Sequence, residues 1–133
     1  MRSIALQPSK RPLFSQSLDA QRQAGLVNLL TAHLFQVSVE ALKSPTRKRP
    51  ASAVARQAAM YVCHVALGLS FSEVGEIFER DRTTAAYACR VIEDRRDNQA
   101  FDELIGRIEA AVWALGLRRR SFFLPIAFGG AIS

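Results

Sequence analysis

Residues 70–92 constrain the fold more than any other stretch of the chain. Ser70-Phe71-Ser72-Glu73 has the form of a capping box: a serine whose hydroxyl accepts from a backbone N–H three residues on, and a glutamate that reaches back. It opens a short helix, Phe71 to about Phe78, with Val74, Ile77 and Phe78 on its apolar side. Glu79-Arg80-Asp81 makes a tight turn. Asp81 suits the cap of a second helix, Arg82 to about Arg96, because a carboxylate there accepts from free N–H groups at the positive helix end. Ala85, Ala88, Cys89 and Ile92 recur at i, i+3, i+4 and i+7 and form an inward stripe. Arg82, Thr83, Ala86, Tyr87 and Arg90 fall on the other side. Two helices joined in this way make a helix-turn-helix.

In such a motif the start of the second helix meets base edges in the major groove. The residue types suit that work. Arg82 can donate two bonds to a guanine edge, and Thr83 and Thr84 offer hydroxyls together with methyls for thymine. The helix N-terminus attracts phosphate, and Tyr87 can stack or bond to the backbone. A second feature lies upstream. Lys43, Arg47, Lys48, Arg49 and Arg56 fall within fourteen residues that contain no acid, and Pro45 and Pro50 bracket the basic centre Arg47-Lys48-Arg49 as a loop. As a loop it can follow the phosphate backbone or enter the minor groove, and binding through it is salt-sensitive. The residues alone leave two plainer readings open, an amphipathic helix in ordinary core packing and a solvated basic loop.

The rest of the chain fits one helical domain. Its 133 residues are 49% hydrophobic, enough for a core and against global disorder. Residues 1–17, with Pro8 and Pro12, read as a flexible arm. Asp19 can cap a helix to about Phe35, with Leu26, Leu29, Leu30 and Leu34 at helical spacing. A short element covers Ser38 to Lys43, and a strong helix runs from about Ser52 to Leu67, with Gly68 as its stop. Past Asp97-Asn98 a last helix covers about Ala100 to Leu115, with Phe101, Leu104, Ile105, Ile108, Val112 and Leu115 on one face. The domain is read as residues 18–116, and residues 117–133 as a basic and hydrophobic tail.

Charge narrows the partners. The net charge of +6 favours polyanions: DNA, RNA or an anionic membrane surface. No segment has the roughly 18 apolar residues of a membrane span, and no signal-peptide core is evident, so a cytoplasmic, nucleoid-associated protein is expected, without a membrane partner. Cys63 and Cys89 have no metal-site spacing and read as buried thiols in a reducing compartment. His33 and His64 sit in no ligand cluster, and no Gly-x-x-x-x-Gly-Lys-Ser/Thr phosphate loop exists. No catalytic residue, metal or cofactor is expected, and no enzyme activity.

Several blocks, in order, resemble the C-terminal DNA-binding domain of the bacterial replication initiator DnaA. Val37 to Ser44 followed by Arg47-Lys48-Arg49 is similar to the family's approach segment, and Arg56-Gln57-Ala58-Ala59-Met60-Tyr61-Val62-Cys63 to its next helix. Leu69 to Gly75 with Phe78, then Arg80-Asp81-Arg82-Thr83-Thr84, then Ala88-Cys89-Arg90 with Ile92, resemble its helix-turn-helix signature. The resemblance covers about residues 22–113 and implies an all-α, Trp-repressor-like helical bundle without the initiator's ATPase. It implies Asp81, Arg82, Thr83 and Thr84 in the major groove, Lys48 or Arg49 in the minor groove, and Arg56 and Gln57 near phosphates. The chain departs from the family at the turn, where Glu79 stands in place of two glycines. It departs again at Arg82, which replaces a histidine, at Ala85-Ala86-Tyr87, and at His64.

The expected function is sequence-selective binding of double-stranded DNA at DnaA-box-like origin sites, modulating replication initiation, with Tyr87 completing the DNA-binding set. The alternative is an adaptor that binds the replication initiator or its regulatory ATPase. The shortened turn, Glu79 and the aromatic tail Phe122-Phe123-Leu124 motivate it.

Overall fold

A computed structural model describes residues 2–43 and 50–117, with the side chains of residues 18–42 and 50–117. The described residues form an all-α bundle of α1 (Arg2–Phe35), α2 (Val39–Lys43), α3 (Pro50–Val65), α4 (Phe71–Phe78), α5 (Arg82–Arg95) and α6 (Gln99–Ala114). Among them no helix is long and apolar enough to cross a membrane. The tail beyond Leu117 lies outside the described residues.

α3 is the central element, packed against α1, α4, α5 and α6. It opens on Pro50, whose missing N–H costs nothing in a first turn. Its sequence is rich in alanine, so neighbours approach closely on several sides: Ala55, Ala58, Ala59, Val62 and Cys63 are fully buried. His64 closes its end. The imidazole stacks on Phe71 at 4.2 Å, and its Nδ1 lies 2.7 Å from the Leu69 carbonyl oxygen. That oxygen only accepts, so Nδ1 carries the hydrogen. His64 thereby joins α3 to the entry of α4.

The first helix differs from its expectation. α1 starts at Arg2 and passes through Pro8 and Pro12, so Asp19 is an exposed residue inside a helix and not its cap. The residues around the prolines, Ala5, Leu6, Gln7, Lys10, Arg11 and Leu13, are good helix formers. The core face differs too. Leu26 and Leu29 are exposed, whereas Ala20, Ala24, Val27, Thr31 and Ala32 are buried. Small side chains let the α1 axis lie close to α3, and the longer leucines cannot fit between them. Leu30 and Leu34 pack at the margin.

At the other end, Leu115 is 57% exposed and Leu117 is buried. Gly116 takes a φ of 71° and the Leu117 N–H reaches back to the Val112 carbonyl at 3.2 Å, so the chain turns inward two residues later than expected. Arg96, at the end of α5, holds α6 and α3 together. Its guanidinium donates to Asp102, to Glu109 Oε2 at 3.0 Å and to the Tyr61 hydroxyl at 3.1 Å. Burial disfavours its charge, but the bonds to Glu109 and Asp102 outweigh that and raise its pKa. Tyr61 is pushed up as well, by burial against the lowering influence of Arg96.

Candidate nucleic-acid interface

The helix-turn-helix is built as the local sequence dictates. The Ser70 hydroxyl accepts from the Glu73 N–H at 3.0 Å, and a Glu73 carboxylate oxygen accepts from the Ser70 N–H at 2.8 Å. This closes the capping box. α4 ends in a Schellman turn: the Arg80 N–H donates to the Gly75 carbonyl at 2.8 Å and the Glu79 N–H to that of Glu76 at 3.2 Å. The left-handed position in this turn, usually glycine, is Glu79 at φ 58°. The turn folds tightly over α4. A Cβ on Gly75 would lie 2.7 Å from the Arg80 carbonyl oxygen, so only glycine fits there.

Asp81 then starts α5. Its Oδ1 accepts from the Thr84 N–H at 3.1 Å, the Thr84 hydroxyl at 2.8 Å and the Thr83 hydroxyl at 3.1 Å. The Thr84 hydroxyl and N–H, then the Thr83 hydroxyl, hold this exposed carboxyl below the usual carboxylate range. Ala85, Ala88, Cys89 and Ile92 are buried against the core, the stripe that periodicity predicts. Burial, with the charge of Glu93 added, pushes the Cys89 thiol up to about 11. Burial also raises Cys63, so both thiols stay protonated at neutral pH.

With that stripe inward, the first turn of α5 faces solvent. Arg82 and Thr83 are exposed, Thr84 is half-buried and Tyr87 is 57% exposed. Arg82 makes no ion pair among the described residues. A concavity of about 570 Å3 lies beside this turn, between α3 and α5. Arg56, Gln57 and Met60 line it from α3, Arg80 from the turn, and Thr83, Thr84 and Tyr87 from α5. Among the described residues, two arginines and no acidic residue line it.

Five residues singled out from the sequence therefore meet at one concave surface: Arg56, Gln57, Thr83, Thr84 and Tyr87. Asp81 and Arg82 lie in the chain between the lining residues Arg80 and Thr83, and Asp81 organises the two threonines. Arg56 departs from a simple surface cation. It is buried, and its Nε donates to the Leu42 carbonyl at 2.9 Å, which ties α2 to α3. Lys48 and Arg49 lie outside the described residues. Arg80 was missing from the expected set. It is part of the Arg80-Asp81-Arg82-Thr83-Thr84 block, but nothing in local sequence shows that the turn swings it toward α3. Its Nη1 donates to the Phe78 carbonyl at 3.1 Å, so the guanidinium also braces the turn.

Comparison with known proteins agrees with this fold. The family of the bacterial dnaA protein helix-turn-helix matches residues 26–92. The chain is 37% identical over 103 residues to the chromosomal replication initiator protein DnaA of Mycobacteroides abscessus, covering 74% of this chain and 21% of that protein. It thus spans about a fifth of the length of that relative. A crystal structure of a DNA replication initiation factor superposes with a TM-score of 0.68 at 25% identity, over 84% of this chain and 35% of the other. On the matched helices, the capping box and the capped recognition turn, the chain belongs to the bacterial DnaA helix-turn-helix family.

Proposed function

We propose that this chain binds double-stranded DNA sequence-selectively, at sites resembling the initiator's own boxes, and so modulates the initiation of chromosome replication. One observation carries the reading: the outward first turn of α5 adjoins a concavity that collects Arg56, Gln57, Arg80, Thr83, Thr84 and Tyr87, with no acidic residue among the described residues lining it. A helix N-terminus with hydroxyls and an exposed arginine suits the major groove, and flanking guanidinium groups suit phosphate. Lys48 and Arg49, which follow α2 in the chain, supply the minor-groove or backbone contact in this reading. Such a role puts the protein on the nucleoid, with DNA as its partner and no chemistry of its own. Titration of labelled duplexes, one with an initiator box and one scrambled, tests it. The reading predicts tighter binding to the box and a steep loss of affinity with salt. Equal affinity for both duplexes contradicts it.

A second reading, an adaptor for the replication initiator or its regulatory ATPase, is favoured by one observation. Exposed Glu79 places a negative charge on the turn beside the proposed DNA face. Co-purification with the initiator that survives nuclease treatment, together with indifference to box sequence, would favour this reading over the first.

A further inference from the structure

We infer that Asp81 sets the hydrogen-bond polarity of the recognition turn, taking the protons of both threonine hydroxyls so that Thr83 and Thr84 face a duplex as acceptors. The inference rests on the DNA-binding reading above and specifies which base edges it uses. Thr83 Oγ1 and Thr84 Oγ1 lie 3.1 and 2.8 Å from the same oxygen, Asp81 Oδ1. An ionised carboxylate only accepts, so each contact is bridged by the hydroxyl's own hydrogen. A hydroxyl has one hydrogen, and once it is committed only lone pairs remain for a ligand. Bonds to a charged acceptor are the strong kind, and a duplex edge does not easily displace them. The Thr84 hydroxyl and N–H and the Thr83 hydroxyl hold the Asp81 carboxyl below the usual carboxylate range, so it is ionised at neutral pH.

The consequence is a division of labour within one helical turn. In the major groove the only donors on base edges are the exocyclic amino groups, N6 of adenine and N4 of cytosine. Thr83 and Thr84, as acceptors, select base pairs that aim such a group at them. They disfavour the N7/O6 edge of guanine, which brings lone pairs against lone pairs. Phosphate oxygens are acceptors as well, so these threonines are not phosphate clamps. Exposed Arg82, which carries only donors, takes the complementary part and faces a guanine or a phosphate.

Base analogues read this directly. In a duplex that the protein prefers over a scrambled one, each adenine is replaced in turn by purine, which lacks the amino group. Each cytosine is replaced by pyrimidin-2-one, which lacks it too. In parallel, purines are replaced by 7-deaza analogues, which lack the N7 acceptor. Affinities are measured by fluorescence anisotropy for the wild type and for Asp81→Ser, Thr83→Val and Thr84→Val. Serine still caps the Thr84 N–H but is too short to hold both hydroxyls. The valine variants leave Asp81 in place and separate the threonines from any direct contact by the carboxylate. Thermal melts verify that each variant is folded.

The expected result is one or two positions where loss of an amino group weakens the wild type about tenfold. At those pairs the 7-deaza analogues have no effect, and the sensitivity disappears in Asp81→Ser and in at least one valine variant. Amino sensitivity unchanged in all three variants, or sensitivity to N7 at those pairs, overturns the inference while leaving DNA binding intact. A wild type with no preference among duplexes overturns the DNA-binding reading and the inference with it.

Discussion

The buried guanidinium of Arg56 donates from Nε to the main-chain oxygen of Leu42, 2.9 Å away and fourteen residues earlier in the chain. Leu42 is fully buried, so its carbonyl has no access to water if that donor is lost. The bond fastens the end of α2, and with it the start of the basic segment, to the helix that lines the proposed DNA face. Arg56→Met leaves the carbonyl unsatisfied and should lower stability by about 1–3 kcal/mol. It should also weaken binding to preferred and scrambled duplexes by the same factor. Chemical denaturation and paired titrations check both outcomes.

Two glycines separate close packing from chain entropy. Gly75→Ala drives a Cβ to 2.7 Å from the Arg80 carbonyl and 3.1 Å from the Asp81 carbonyl carbon, both rigid backbone. The turn must open, at a cost of about 1–3 kcal/mol, and the start of α5 shifts with it. Gly25→Ala meets nothing within 4 Å. It should stabilise α1 by about 0.5–1 kcal/mol, the ordinary helix advantage of alanine. Denaturant midpoints of opposite sign for the two variants are the expected result.

Glu79 holds a left-handed conformation that its side chain disfavours. Glu79→Gly relieves this and should raise stability by about 1 kcal/mol, read as an upward shift in Tm. It also removes a negative charge beside the proposed interface. DNA affinity should rise, and the rise should shrink as salt screens the charge. If the turn instead serves a protein partner through this carboxylate, the same variant loses that partner without gaining DNA.

The cap at Asp81 titrates. Because its folded pKa is depressed by the threonine hydroxyls and the Thr84 N–H, its contribution is fully present above the ordinary carboxylate range. It is lost as pH falls through the lower, folded value. Wild-type stability should therefore drop on acidification through and below the ordinary carboxylate range, and Asp81→Asn, which caps without titrating, should flatten part of that drop. Denaturation curves at a series of pH values measure the difference.

Legibility tracked how local each determinant is. Ser70 with Glu73, Asp81 with Thr84, and the stripe Ala85, Ala88, Cys89 and Ile92 each act within one or two helical turns, and the sequence pattern predicts all three. The candidate site was legible to the same degree, since Thr83, Thr84 and Tyr87 are on the outer side once that stripe points inward. What depends on partners far along the chain was not. Periodicity favours Leu26 and Leu29 as core because they are large, but the α1 residues buried beside the alanine-rich α3 are mostly small, among them Ala20, Ala24, Val27, Thr31 and Ala32. Arg56 reads as a surface cation until Leu42 is seen beneath it. Arg96, which links Tyr61, Asp102 and Glu109, carries no local mark at all. The left-handed conformation of Glu79, a position usually taken by glycine, is not marked by propensity.

The central claim is that the first turn of α5 reads DNA sequence. The most direct measurement is the ratio of affinities for an initiator-box duplex and its scrambled counterpart, compared between the wild type and Arg82→Ala/Thr83→Ala at fixed salt. Each lost base contact is worth about 1–3 kcal/mol on the box and little on the scrambled duplex. The ratio should therefore collapse toward unity while general affinity largely persists. A double variant that keeps the wild-type ratio, or that loses both affinities equally, contradicts the account.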